Sequence, residues 1–164
     1  MSRPARSLNR TLAAAAVTLS LVLVGAAPAG ALVIPKRSID SVRLRDSEAR
    51  VARLHGSRPE RAAITFGPGE VAAVQWTYPR RKLRIVFIRH RVVEVETQSR
   101  RQRTSRGVGV GTSFEQARRA HPELKCYTTF CEWGTGTSIR TLRFTQLAFS
   151  NGRVTRIVLG YSTP

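Results

Sequence analysis

Past residue 31 the apolar and polar positions of the chain run through one order twice: an apolar pair, a short helix, then alternating strands. The segment from Val42 to His55 overlies that from Val108 to His121 without a gap, and Val, Ser, Arg and His recur in register at 42/108, 47/113, 53/119 and 55/121. A second collinear match sets Phe87, Arg91 and Val92 over Phe149, Arg153 and Val154. Either match alone is weak, but their shared order and similar offset point to a duplicated unit.

Ser47 and Ser113 are placed to start the two helices. Ser113 stands three residues before Gln116, the spacing of a capping box, in which the serine oxygen accepts an orphan backbone N–H and the glutamine reaches back. Gly56 ends the first helix in this reading, because glycine enters the left-handed region cheaply, and Pro122 the second, because proline cannot continue it. Strands are predicted over 71–78, 83–89 and 92–97, and again over 139–144, 146–150 and 154–161. Asn151-Gly152 is a type I′ hairpin signal. A slip of apolar phase between Phe144 and Leu147 predicts a bulge or turn at Thr145-Gln146. The expected fold is therefore α+β, two tandem units, each a short helix or helices followed by an antiparallel sheet. Its boundaries read as 32–98 for the first unit, 99–106 for an arginine-rich linker and 107–164 for the second unit.

Residues 1–31 read as an export leader: Arg3, Arg6 and Arg10 form a basic start, an apolar run covers 12–24, and small residues close it. An uncleaved anchor is the competing reading, but a spanning helix needs about twenty apolar residues and this run is shorter. Pro28 and Gly30 break a helix where Ala29-Gly30-Ala31 offers small residues at −3 and −1. That favours cleavage after Ala31, with cleavage after Ala29 nearly as good. No other segment is apolar enough to cross a bilayer as a helix. The mature chain is expected to be soluble, and either secreted or held in the cell envelope.

Export changes what the charge means. The chain carries 28 Lys and Arg against ten Asp and Glu, a formal charge of +18. Only three of those cations lie in the leader, so a polyanion should feel the field of the mature chain. A bland cause competes: Lys36, Lys82 and Lys125 are the only lysines, and a genome rich in G and C writes arginine through its codons. The densest cluster, Arg100, Arg101, Arg103 and Arg106, lies among polar residues and reads as a solvated linker ahead of a dedicated anion site. Together with Arg80, Arg81 and Lys82, it is the set on which a binder of anionic wall polymer, lipid headgroup or nucleic acid would rely.

In an oxidising compartment Cys126 and Cys131 are expected to form an intrachain disulfide, closing Tyr127 to Phe130 into a small loop or hairpin end. Closing so short a loop stabilises by about 2 kcal/mol in the chain-entropy treatment. A redox catalyst normally spaces its cysteines by two residues, and a zinc site needs two further ligands that His121 alone cannot supply.

The phrase Val108-Gly-Val-Gly-Thr-Ser113 before a short helix, and the strand phrase from Phe149 through Gly152-Arg153-Val154 to Ile157, resemble the outer-membrane-assembly lipoprotein and β-lactamase-inhibitor-protein superfamily. The resemblance spans most of residues 40–162. It departs at Arg45, where a glycine is expected, and at Arg89-His90 in the hairpin, and no lipid-attachment cysteine is present. It implies two helix-and-sheet units in tandem and binding without catalysis, a protein partner docking on the concave face of a sheet.

Trp76, Tyr78, Tyr127, Phe130 and Trp133 are the aromatic anchors such docking would use, set against the commoner fate of strand aromatics, which is to fill a core. Of these Trp133 stands out, because it lies in a Gly-rich, cysteine-bounded loop. Gly107, Gly109 and Gly111 precede a helix as phosphate loops do, but lack their lysine and full spacing, and read as a tight strand-to-helix entry. His55, His90 and His121 show no spacing to a triad partner. Glu94 and Glu96 share a strand face, as glycosidase carboxylates can, yet adjacent strand carboxylates are more often a solvated edge. No catalytic residue, metal ligand or cofactor is expected. The expected function is an exported, non-enzymatic module docking an unknown protein, with the polyanion binder as its alternative and a hydrolase as the remaining class.

Overall fold

Two serines set the helices. Ser47 Oγ accepts the Arg50 N–H at 3.3 Å and opens α1 (Glu48–His55). Ser113 Oγ accepts the Gln116 N–H at 3.2 Å while Gln116 Oε1 accepts the Ser113 N–H at 3.2 Å, the reciprocal box that opens α2 (Phe114–Ala120). Gly56 closes α1 and His121, ahead of Pro122, closes α2. Helices of eight and seven residues are too short to stand alone. Each therefore depends on its buried contact, Val51 in α1 and Ala117 in α2, with the core of the sheet.

The computed structural model describes residues 32–66, 71–134 and 143–161. The expected leader, 1–31, and the start of the strand expected over 139–144 lie outside them. A two-stranded ribbon, β1 (Ser38–Ile39) with β2 (Val42–Arg43), precedes α1. Then come β3 (Glu60–Phe66), β4 (Val71–Tyr78), a 3₁₀ turn at Pro79–Arg81, β5 (Leu83–Ile88) and β6 (Arg91–Thr97). After α2 follow β7 (Lys125–Cys126), β8 (Phe130–Trp133), β9 (Arg143–Ser150) and β10 (Arg153–Tyr161).

The α+β expectation of two units, each with a sheet of its own, is corrected here. The described chain is mostly β, and one antiparallel sheet of eight strands runs in the order β3-β4-β5-β6-β10-β9-β8-β7. The seam is β6 against β10, paired from Thr97↔Ile157 to Glu94↔Gly160. Apolar alternation marks which residues form strands but not which strands pair across a long separation. Two separate sheets would have left β6 and β10 as unpaired edges, with a row of unsatisfied N–H and C=O groups on each.

Two further differences are local. β9 runs unbroken through Thr145 and Gln146, and the irregularity falls on its partner β10, where the register shifts between Val154 and Arg156. Phe144 leaves the apolar phase because it lies over Gly160, whose missing side chain leaves the ring its space. β3 was not predicted: its described side chains are exposed or half-exposed, so it shows no alternation to read.

The echoed residues stand in matching places. Arg45 N–H donates to the Val92 carbonyl and Gly111 N–H to that of Val154, at 2.8 and 2.7 Å. Val92 N–H returns to Asp46, and Val154 N–H to Thr112, at 3.0 and 2.9 Å. Asn151 and Gly152, at φ 50 and 69, turn the β9–β10 hairpin as a type I′ turn does. At the helix entries Gly111 has φ 93 and Arg45 φ 71, so an arginine holds a left-handed conformation where its counterpart is glycine. Arg45→Gly should therefore raise stability by about 1 kcal/mol, read as a higher urea midpoint with an unchanged slope. A fall would mean that the arginine side chain makes up for its backbone strain.

Candidate functional site: the sheet face opposite the helices

Strand pleating gives the sheet two chemically different faces. Trp76, Ile85, Phe87, Val95, Leu147 and Ile157 point to the face that buries Val51 and Ala117. Neighbouring residues point the other way, and both described helices contribute their buried side chains to the first face. On the second face, next to the β6–β10 seam, Arg84 Nη2 donates to Glu94 Oε1 at 2.8 Å and to Glu96 Oε2 at 2.6 Å. Arg84 Nη1 reaches Gln75 Oε1 at 3.3 Å, and Gln98 Nε2 donates to Glu96 Oε1 at 3.1 Å.

One guanidinium thus ties two carboxylates, and their environments drive them apart. Burial pushes the Glu94 carboxyl above the usual carboxylate range, against the pull of Arg84. Burial also opposes the charge on Glu96, but hydrogen bonds from Arg84 and Gln98 outweigh it and hold that carboxyl below the usual range. For Arg84, burial is likewise overcome by its bonds to the two glutamates, which raise its pKa. A glycosidase pair needs carboxylates free to face a sugar, and these are committed to Arg84.

Beside this cluster lies a groove of about 460 Å³ lined by Gln98, Thr129, Phe130, Gln146, Ala148, Phe149, Thr155 and Arg156. Its rim is the disulfide hairpin. Cys126 and Cys131 are directly opposed in β7 and β8 and are bonded, with Cα atoms 4.0 Å apart. The bridge fixes the tip where Tyr127 stacks on Phe130, centroids 4.5 Å apart at 28°. Tyr127 is 51% exposed.

Of the five expected anchors, Tyr127 and Phe130 lie at this rim, and Trp76, Tyr78 and Trp133 are buried in the core. Their strand parity sends them inward: Trp76 packs on Phe87 at 4.8 Å, and Trp133 meets the edge of His121 at 4.7 Å. Tyr78 OH donates to the Gly56 carbonyl at 3.0 Å. Trp133, the one singled out from its loop setting, is a β8 residue whose Nε1–H donates to Glu123 at 3.3 Å.

The other candidates resolve as follows. The N–H groups of Gly107, Gly109 and Gly111 are all taken, by Thr104 O, Thr112 Oγ1 and Val154 O, which leaves no phosphate nest. The 99–106 segment exposes Arg100, Arg101, Arg103 and Arg106 but buries Gln102 and Thr104. His121 bonds Thr104 Oγ1 at 3.0 Å and Glu123 Oε1 at 2.9 Å, and that second bond is the main cause holding Glu123 at about 2. His55 ends α1 as His121 ends α2, yet both its ring nitrogens are buried without a hydrogen bond, and burial lowers its pKa. His90 is exposed, 3.0 Å from Glu48. Among the described residues no three of His, Cys, Asp and Glu are placed to hold a metal, and no helix is long and apolar enough to cross a membrane.

Sequence reasoning missed Arg84, Gln98, Gln146 and Arg156 as site residues. Their signal was parity: polar side chains at the positions between the apolar ones of β5, β6, β9 and β10.

No family model and no curated protein matches the chain. A solved structure similar to it is that of an extracellular protein containing a SCP domain from Bacillus anthracis str. Ames, with TM-score 0.49 and 9% identity. That match covers 71% of this chain, which spans 43% of the other protein's length.

Arg84→Met should cost about 2 kcal/mol at neutral pH, less than for a fully buried pair because about a third of the arginine side chain remains in water. Without it both carboxyl pKa values rise above their unfolded values. The loss should then be largest above the usual carboxylate range and shrink as pH falls through it. Urea unfolding at pH 7 and pH 4.5 checks this, and an equal loss at both would remove the electrostatic account. His55 has the opposite consequence for the wild type. A histidine pKa lowered on folding leaves stability intact above 6.5 and loses it as pH falls below that value. His55→Phe should flatten the melting temperature between pH 7.5 and 5.5.

Proposed function

We propose that the chain is an exported, disulfide-bonded, non-enzymatic module that docks a protein partner, in the envelope or outside the cell, across the sheet face opposite its two described helices. The observation that carries this reading is the groove beside the Tyr127–Phe130 stack. It combines an apolar floor at Ala148 with hydrogen-bonding groups on Gln98, Gln146 and Thr129, and a guanidinium on Arg156. An extended partner segment with an acidic side chain fits that chemistry. Aromatic residues at a rigid rim are typical interface anchors, since little freedom is lost when they are covered.

Export is supported by the expected leader and by the disulfide, which is a bond of oxidising compartments. The absence of catalysis is supported by Glu94 and Glu96 being held by Arg84. The resemblance to the β-lactamase-inhibitor-protein superfamily implies the same use of a sheet face.

The test is capture from envelope and culture fractions, eluted by salt. At about 0.5 M the screening length falls to about 4 Å, so partners held only by surface charge leave. A protein partner should stay bound through the ramp and be weakened at least about tenfold by Tyr127→Ala, a change at an exposed position that leaves the melting temperature in place. Trp133→Ala would not serve, because it opens a core cavity. A partner indifferent to Tyr127→Ala, or none retained past the ramp, overturns the reading.

A further inference from the structure

Two basic runs that are distant in the chain meet at one end of the sheet. Leu83 pairs with Thr97 at the ends of β5 and β6. Beyond that pair, Gln98 N–H donates to the Lys82 carbonyl at 3.0 Å, and the Thr97 hydroxyl donates to the same oxygen at 3.4 Å. The turn carrying Arg80, Arg81 and Lys82 is thereby fixed beside the segment carrying Arg100 and Arg101. Ser99 Oγ accepts the Arg101 N–H at 3.3 Å and shapes that segment in turn.

The cations of this surface are not equally available. Arg81 lies 4.0 Å from Asp40. Arg103 donates to the Gly107 carbonyl at 2.7 Å, and Arg106 to the Ala120 carbonyl at 2.8 Å. Arg80, Lys82, Arg100 and Arg101 are exposed, and among the described residues their side chains make no ion pair or hydrogen bond. Glu96, the acid that precedes them along β6, is already occupied by Arg84 and Gln98.

We propose that this ridge binds a linear envelope polymer of phosphodiester groups other than nucleic acid, at a surface separate from the docking groove and independent of it. Three of the four free cations are guanidinium groups, whose forked donors match phosphate oxygens. All four cations are exposed to water, so each contact is screened and weak, and useful affinity needs several phosphates engaged together. That requirement selects a polymer over a small anion. Export, as read from the leader, puts envelope polymers within reach and chromosomal nucleic acid out of it.

The experiment measures binding of a fluorescent poly(glycerol phosphate) chain to the exported, disulfide-bonded protein from about 50 to 400 mM salt. Three proteins are compared: wild type, the ridge variant Arg80→Gln/Lys82→Gln/Arg100→Gln/Arg101→Gln, and a control with the same loss of charge elsewhere, Arg43→Gln/Arg53→Gln/Arg58→Gln/Arg119→Gln. All these positions are exposed, and unchanged melting confirms each fold. The ridge variant should lose at least about tenfold in affinity at 0.1 M salt and flatten the salt slope by about three, which is about 0.7 for each of the four phosphate contacts removed. The control should lose less than about threefold. Equal losses in the two variants would mean that net charge alone attracts the polymer. Binding to anionic vesicles or to single-stranded DNA but not to the glycerol phosphate chain would overturn the choice of partner. Because the polymer does not use Tyr127, a failed protein capture leaves this result unaffected.

Discussion

The pairing of β6 with β10 is the constraint on which the rest of the structure depends. It joins two meanders into one sheet, and it does so about the Glu96↔Val158 pair, with Val95↔Leu159 on one side and Thr97↔Ile157 on the other. On the core face this brings Val95, Ile157 and Leu159 into one apolar row that covers both helices' buried residues. On the other face it brings Arg156 beside Glu94 and Glu96, which the β5–β6 pairing already sets against Arg84. Were the seam absent, each meander would have half a core, and the Arg84 cluster would stand at a bare sheet edge.

The same arrangement explains the surface charge. The acids are few and mostly turned to internal use: Glu94 and Glu96 on Arg84, Glu123 on His121 and Arg106, Asp46 on Arg50, Asp40 between His55 and Arg81. A carboxylate spent in this way cannot screen an exposed arginine elsewhere. The fold sorts the cations into paired residues and free ones, and four of the free ones, Arg80, Lys82, Arg100 and Arg101, stand together where β5 begins and β6 ends.

Local chemistry was legible in the sequence, and long-range pairing was not. The capping serines, Gly56, Asn151-Gly152, the disulfide and the strands β4, β5 and β6 each have a cause within a few residues, and each can be read from spacing. The α+β expectation failed at the seam because antiparallel partners 60 residues apart carry no shared local signal, only compatible apolar phases. The short strands β7 and β8 were missed for a related reason, since they persist through the disulfide and their neighbour β9 rather than through their own pattern. Site residues divide in the same way. Tyr127 and Phe130 follow from the closed loop, whereas Trp76, Tyr78 and Trp133 were drawn inward by a parity that only the sheet defines.

The groove side of the molecule is also the more heavily cross-linked side. His55 and His121 end their helices in matching places, each against an aromatic ring, Tyr78 or Trp133. His121 is bonded at both ring nitrogens, and through Glu123 it reaches Trp133 Nε1, whereas the His55 ring makes no hydrogen bond and faces Asp40 at 3.8 Å. The disulfide lies on the His121 side as well, closing the two-residue β7 onto β8. A sheet edge built from strands this short would fray without such ties, and fraying would scatter the Tyr127–Phe130 stack. Under the proposed docking, an edge held in advance loses less freedom when it is covered. The asymmetry between two otherwise matching halves therefore places the cross-links at the edge where docking is proposed and leaves the loss of stability below pH 6.5 to the half with His55, whose ring makes no hydrogen bond.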